Sequence, residues 1–381
     1  MLLSLLADGD LNACLLDLQI IREKLPTLHF QFDTVVSPHE WANKCDDTGT
    51  ALPAASPAAR RLLLMKLVAQ LGVAHTLVAP GPANYGSPSV QWAPYADGSF
   101  VTASSDPALL EAQVLRVGKV SVRAAIHELS RFIPSENAGW RDAQLPQITR
   151  LHAAYRAAGL ADPDGTVRMQ LRLKDGAKKW VKVTSTPAAL SRIASDRFPD
   201  YYRPQTRNYE IREAALPGTK AIVFDYRRCQ SDLKDPIAPV IEEFWKRYDH
   251  GNAVAIVDLR RNGGGNSSVL WPLYSGIRKR PGIKLFALTS RHTFSSAVSN
   301  ATELRALGAK LIGEPTGGDP NGFGEVKNIL LPNTGSTLYY CTKKWSRTKT
   351  RYRALEPDVQ SPIRFQDLAA GIDPIWSRIP L

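Results

Sequence analysis

Ala253-Val-Ala-Ile-Val257 carries no polar side chain over its whole length. A strand that is apolar on both faces has to be covered on both faces, which points to the interior of a parallel sheet. The flanking sequence agrees. Ala221-Ile-Val-Phe224 predicts a strand, Ile237 to Tyr248 an amphipathic helix, Ser267 to Gly276 a helix, Ile283 to Leu288 a strand, Ser296 to Leu307 a helix, and Ala309 to Ile312 a strand. This β-α-β-α-β succession, in segments the size of βαβ units, predicts an α/β domain with a parallel sheet wound by right-handed crossovers.

The rest of the chain follows other rules. Leu11 to Leu25 and Ala58 to Leu71 have apolar residues at helical spacing, separated by the turn-rich Leu52 to Pro57. From Trp92 to Thr184 short strand-like runs take over. Thr166 to Leu173 alternates strictly and is followed by Asp175-Gly176 and Trp180 to Val183, a hairpin signal. Val122 to Arg131 reads as a helix among these strands. Thr186 to Arg212 is polar, with prolines and tyrosines, and reads as a linker. The expected organisation is an N-terminal helical domain (1–85), a small β-rich module (86–195) and the α/β domain (196–381), which the 381 residues accommodate.

Composition narrows the function classes. The formal charge is +12, but the basic residues fall into separate groups: Arg278 to Arg280, Lys178 to Lys182, and Lys343 to Arg353. None interleaves with aromatics as in a single-strand nucleic-acid binder, so no nucleic acid is expected. The four cysteines lie far apart without a CxxC pair, and no His, Cys or carboxylate cluster has ligand spacing. No metal or cofactor is expected. No apolar run reaches the roughly 18 residues of a spanning helix. Met1 to Ala7 is apolar but short and has no basic residue before it. The sequence as written therefore predicts no signal peptide and a cytoplasmic chain, with export or a periplasmic location expected if the start lies upstream.

Two loops stand where the chemistry of such a sheet belongs, beyond the carboxyl ends of strands. Asp258-Leu-Arg-Arg-Asn-Gly-Gly-Gly-Asn266 follows the apolar strand, and Thr289-Ser-Arg-His-Thr-Phe-Ser-Ser296 runs straight into a helix. Consecutive glycines permit positive φ and expose backbone N–H groups able to hold an oxyanion. Ser295 and Ser296 meet the free N–H groups and positive dipole end of their helix. Each feature alone has a structural reading, as a tight turn and as a helix cap; the two on neighbouring strands favour a nucleophile.

In order, DLRRNGGG, HTFSSAVSNA, Gly313-Glu-Pro-Thr-Gly-Gly318 and Glu356-Pro-Asp-Val359 resemble the motifs of the tail-specific (carboxyl-terminal processing) serine peptidases, particularly the branch with tricorn-type peptidases and the interphotoreceptor retinoid-binding protein. The resemblance spans Tyr209 to Pro374. It implies a crotonase/ClpP-like catalytic domain, a PDZ-like middle module, and a peptide or unfolded protein as substrate. It places the nucleophile on Ser295, ahead of Ser296, and the oxyanion donors on the N–H of Gly264 or Gly265 and of Ser296. The processing-type lysine after the GEPT motif is missing: Asp319 holds the nearest position and the first lysine is Lys327. Tricorn-like members take their base from the N-terminal part, and Leu67 to Thr76 is similar to that segment, which puts the base on His75. His292 is the second candidate, and Glu356 the candidate for orienting the imidazole. Glu314 and Thr316 are expected to shape the adjoining loop. Two other readings are a non-catalytic peptide- or lipid-binding protein on the same fold and, by analogy of fold alone, an acyl-CoA enzyme.

Overall fold

The computed structural model describes residues 8–194, 197–199, 207–231, 234–249, 253–349 and 353–380. The apolar run Met1 to Ala7, part of the expected linker and part of the Lys343 to Arg353 stretch lie outside them. The chain forms two compact units. The first comprises Met1–Ser135, Gln144–Ile193 and Phe323–Trp345, and the second Glu136–Ala143, Ala194–Gly322 and Ser346–Leu381.

In the first unit, two of the helices are those the apolar spacing predicts, Gly9–Leu28 and Pro57–Ala69. A third, Pro38–Ala51, is not foreshadowed by that spacing, because only Trp41, Cys45 and Thr48 face inward. Its start is encoded instead by Ser37, whose hydroxyl accepts the Glu40 N–H, with Pro38 at the first helical position. These helices share a core (Leu18, Ile21, Leu64, Leu67) with Leu331, Leu338 and Tyr340 of the hairpin Phe323–Leu331/Ser336–Lys344. Leu77–Ala79 extends that hairpin to a three-stranded sheet. The predicted hairpin is present, running from Val167 opposite Val183 to Arg172 opposite Lys178 within a seven-stranded antiparallel sheet. Val122–Ser130 is helical as expected.

The second unit holds the six-stranded sheet. Its elements are β1 (Tyr209–Leu216), β2 (Thr219–Tyr226), α1 (Ile237–Asp249), β3 (Ala253–Asp258), α2 (Trp271–Arg278), β4 (Leu285–Thr289), α3 (Ser296–Ala306), β5 (Lys310–Gly313) and β6 (Val359–Gln360). The strand order is β6-β5-β4-β3-β2-β1, parallel except for β1. The apolar strand β3 is central, as its composition requires. Ala255 and Val257 face one core with the inner faces of all three helices, while Val254 and Ile256 face another with Ile375 and Ile379 of the C-terminal segment. Two expectations change. The stretch read as linker ends in β1, an edge strand disguised by Glu210, Arg212 and Glu213, charges of the kind that protect a sheet edge. The helix expected over Ser267 to Gly276 is a 3₁₀ turn, Ser267–Leu270, followed by α2 with Pro272 in its first turn.

Candidate active site

The Gly-rich loop starts from a buried charge network. Asp225 and Asp258 end β2 and β3 side by side. Burial, then the neighbouring Asp258 charge, raises the Asp225 pKa, while Arg212 and Arg227 oppose that shift. Arg260 is buried between Asp258, at 2.7 Å, and Asp373, at 2.9 Å. Buried charges persist only when paired in this way. Next comes Asn262, with no exposed surface. Its Nδ2 donates to the Tyr226 carbonyl at 2.9 Å, and its Oδ1 accepts the Gly264 N–H at 2.9 Å and the Cys229 thiol at 3.4 Å. Gly264 and Gly265 have φ of 103° and 132°, open to glycine and strained for other residues. Among the described residues, the Gly265 N–H has no hydrogen-bond acceptor.

The serine loop is tied to this one at several points. Thr293 Oγ1 donates to the Leu259 carbonyl at 2.9 Å, and the Phe294 N–H to the Asn262 carbonyl at 3.0 Å. Ser296 Oγ donates to the Gly265 carbonyl at 2.5 Å, so this hydroxyl is engaged in holding the loops together. Ser295 stands between Phe294 and the first residue of α3 with φ 55° and ψ −126°. An L-residue seldom adopts this backbone, which costs on the order of 1–3 kcal/mol. Its hydroxyl makes no capping hydrogen bond to the helix, so the cap reading of Ser295 does not hold. The two loops meet closely: a Cβ on Gly264 would lie 2.7 Å from Ser295 Cβ and 3.0 Å from Ser296 N.

A third loop supports the second. Glu314 accepts the Arg291 N–H at 3.4 Å, and the Gly317 N–H donates to the Thr293 carbonyl at 3.0 Å. Thr316 is fully buried, its Oγ1 donating to the Gly318 carbonyl and accepting the Leu355 N–H. Glu314 and Thr316 thus shape the loop. Asn137 and Trp140, which the motifs do not include, complete the support. Asn137 Nδ2 donates to the carbonyls of Gly317 and Arg353, both at 2.8 Å, and Trp140 stacks on Phe294 at 3.7 Å and 8°. Asn262 is a site residue that the motif contained without revealing its role. We expect Asn262→Ala to cost about 2–4 kcal/mol, because it strands a buried carbonyl and frees the Gly264 N–H; denaturant unfolding measures this.

The other predicted residues are placed as follows. His75 belongs to the first unit. It is half-buried, and burial of its ring pushes the imidazole pKa down to about 4 against a hydrogen bond with the Phe323 backbone. His292 has a pKa lowered to about 4 by desolvation and by Arg291 and Arg261. Glu356 is exposed, and its carbonyl accepts from Arg305 in the last turn of α3, at the opposite end of that helix from Ser295. Asp319 accepts the Asn321 N–H at 2.7 Å, which makes it a turn residue. Lys327 is exposed on the first unit's hairpin. Among the described residues no three His, Cys, Asp or Glu side chains are grouped to hold a metal ion, and no helix is long and apolar enough to cross a membrane.

No protein-family model and no curated protein matches the sequence. Solved structures do. Mature CPAF complexed with lactacystin is similar with a TM-score of 0.65 and 13% identity, over 97% of this chain and 96% of that chain. Mature CPAF alone gives a TM-score of 0.63 and 12% identity, over 95% of both chains. The photosystem II D1 C-terminal processing protease covers 96% of this chain and 98% of its own at 13% identity, with a TM-score of 0.37. The chain has a mixed α/β fold similar to that of CPAF.

Proposed function

We propose that the chain is a serine-type peptidase that cleaves peptide bonds through an acyl-serine intermediate on Ser295. The observation that carries this is the backbone of Ser295: a strained serine at a strand-to-helix turn, its hydroxyl not spent on capping, pressed against a Gly-rich loop. Strain of this kind persists where the surroundings enforce it, and it is common at nucleophiles. The fold shared with CPAF supports the same reading. A peptide would lie as an added strand beside the Gly-rich loop. Ser295 Oγ attacks the scissile carbonyl carbon, and the base takes the hydroxyl proton. The N–H groups of Gly265 and Ser296 receive the oxyanion, the Gly264 N–H being committed to Asn262. The same proton passes to the leaving amine, and water then hydrolyses the acyl ester. The crotonase/ClpP-like description of the second unit and the PDZ-like description of the first unit's β-rich part belong to this reading. A fluorophosphonate probe is expected to label the intact chain and not Ser295→Ala. No labelling of the intact chain overturns the proposal.

The base is assigned to His75 on the sequence resemblance, and pH tests it. A general base must be neutral, so activity falls as pH drops through its pKa. With the imidazole lowered to about 4, kcat/KM should hold from neutral pH to about pH 5 and fall below. A base with the ordinary histidine value would lose activity near pH 6.5. The acidic limb is expected to disappear in His75→Gln; a limb that persists there gives the role to another group.

One observation favours a second reading, a binding protein without turnover. The position nearest the processing-type lysine is Asp319, committed to its turn. Unchanged peptide affinity in Ser295→Ala, with no cleavage by the parent, would select it.

A further inference from the structure

Between α2 and the part of α3 around Ser299 and Asn300 the second unit contains a cavity of about 400 Å³. Its floor is Asn300, almost fully buried, whose Nδ2 is held by the Ser267 carbonyl at 2.9 Å and the Tyr274 hydroxyl at 2.6 Å. At its rim stands Trp271, 65% exposed, an unusual state for so large a side chain. Three charged groups line it: Arg278, Glu303 and Arg347. Arg278 and Glu303 pair at 3.2 Å, and the lining totals two guanidiniums against one carboxylate. Arg347 is fixed by its own backbone, since its N–H and that of Thr348 both donate to Asn321 Oδ1, at 2.7 and 2.9 Å. Burial lowers its pKa, with Tyr274 and Glu303 opposing.

The cavity's place gives it meaning. Ser299, in its lining, is four residues along the helix from Ser295, an axial rise of about 6 Å. Two residues of an extended peptide span about 7 Å. Ser267, also in the lining, comes two residues after Gly265. A side chain within two residues of the scissile bond has the length to span that rise.

We propose that this cavity is a specificity pocket for an acidic side chain of the peptide, Asp or Glu, its carboxylate meeting Arg347 and its methylenes lying against Trp271. The proposal rests on the peptidase reading for its position, and it gives two of the scattered basic groups a local purpose, since Arg278 and Arg347 come from different ones.

The test uses the full chain carrying Ser295→Ala, which leaves peptides intact, and two acetylated, amidated pentapeptides, Ala-Ala-Glu-Ala-Ala and its Gln counterpart, titrated by calorimetry at low salt. A charge-assisted hydrogen bond at a part-exposed site should make the Glu peptide bind about tenfold tighter. Adding Arg347→Gln should reduce the ratio below about twofold. Adding Glu303→Gln, which removes the like charge and releases Arg278, should raise the ratio, a gain that misfolding cannot produce. Equal affinity for the two peptides, including none for either, overturns the pocket, as does a ratio that Arg347→Gln leaves unchanged. Fluorophosphonate labelling of the parent reports separately on the peptidase reading.

Discussion

Replacing Ser295 by alanine is expected to lower kcat/KM on an unfolded protein substrate by at least about a thousandfold, leaving only what the oxyanion donors and binding supply. The backbone makes a second, sharper expectation. Ser295 holds φ 55° and ψ −126°, so alanine inherits the strain and glycine relieves it. Ser295→Gly should be as inactive as Ser295→Ala yet more stable than it, by about 1 kcal/mol after the greater unfolded-state entropy of glycine is counted. Chemical denaturation of the two variants side by side measures the difference. A Ser295→Gly chain less stable than Ser295→Ala would mean that the backbone is not strained there. Ser296→Ala separates the two serines: its hydroxyl ties the loops together through the Gly265 carbonyl, so its loss should weaken activity while the fluorophosphonate label stays.

What could be read from sequence follows the physics of each element. The parallel sheet was legible because β3 is apolar on both faces and the helices between strands have clear inner faces, as in α1 with Ile237, Ile241 and Phe244 buried. β1 was not, because its burial is confined to its ends and its middle is charged. The helix Pro38–Ala51 lies in the stretch expected to be helical, but a narrow buried stripe hid its bounds, although its cap and proline were in view. At the site, Gly264, Gly265, Ser295 and Ser296 are adjacent in space because their loops leave adjacent parallel strands, and strand order follows from βαβ connectivity. Asn137 and Trp140 reach the site from over 150 residues away in sequence, and local pattern carries no trace of such contacts. Asn262 was visible as a letter in the motif, but its burial, which makes it the anchor of the Gly-rich loop, is a tertiary fact.

The three consecutive glycines look interchangeable in sequence, and the structure makes them unequal, which sets the second large expectation. A Cβ on Gly263 would meet nothing within 4 Å, and one on Gly265 would strike the Cys229 carbonyl at 2.4 Å. At Gly264, φ 103° already disfavours alanine, and the added carbon would sit 2.7 Å from Ser295 Cβ and 3.1 Å from the Phe294 carbonyl. Neither loop can easily withdraw, since the Phe294 N–H to Asn262 and Ser296 Oγ to Gly265 bonds bind them together. Relief must come from displacing Ser295, and a shift near 1 Å at a reacting atom costs about a hundredfold in rate. Gly264→Ala is therefore expected to lose at least about a hundredfold in kcat/KM, and Gly263→Ala less than about threefold. Measuring both on one substrate separates a contact that positions the nucleophile from general loss of loop flexibility, because flexibility is reduced in both variants and the collision with Ser295 occurs in one. Equal losses in the two would remove Gly264 from the positioning role, and with it the argument that the Gly-rich loop sets the geometry of Ser295.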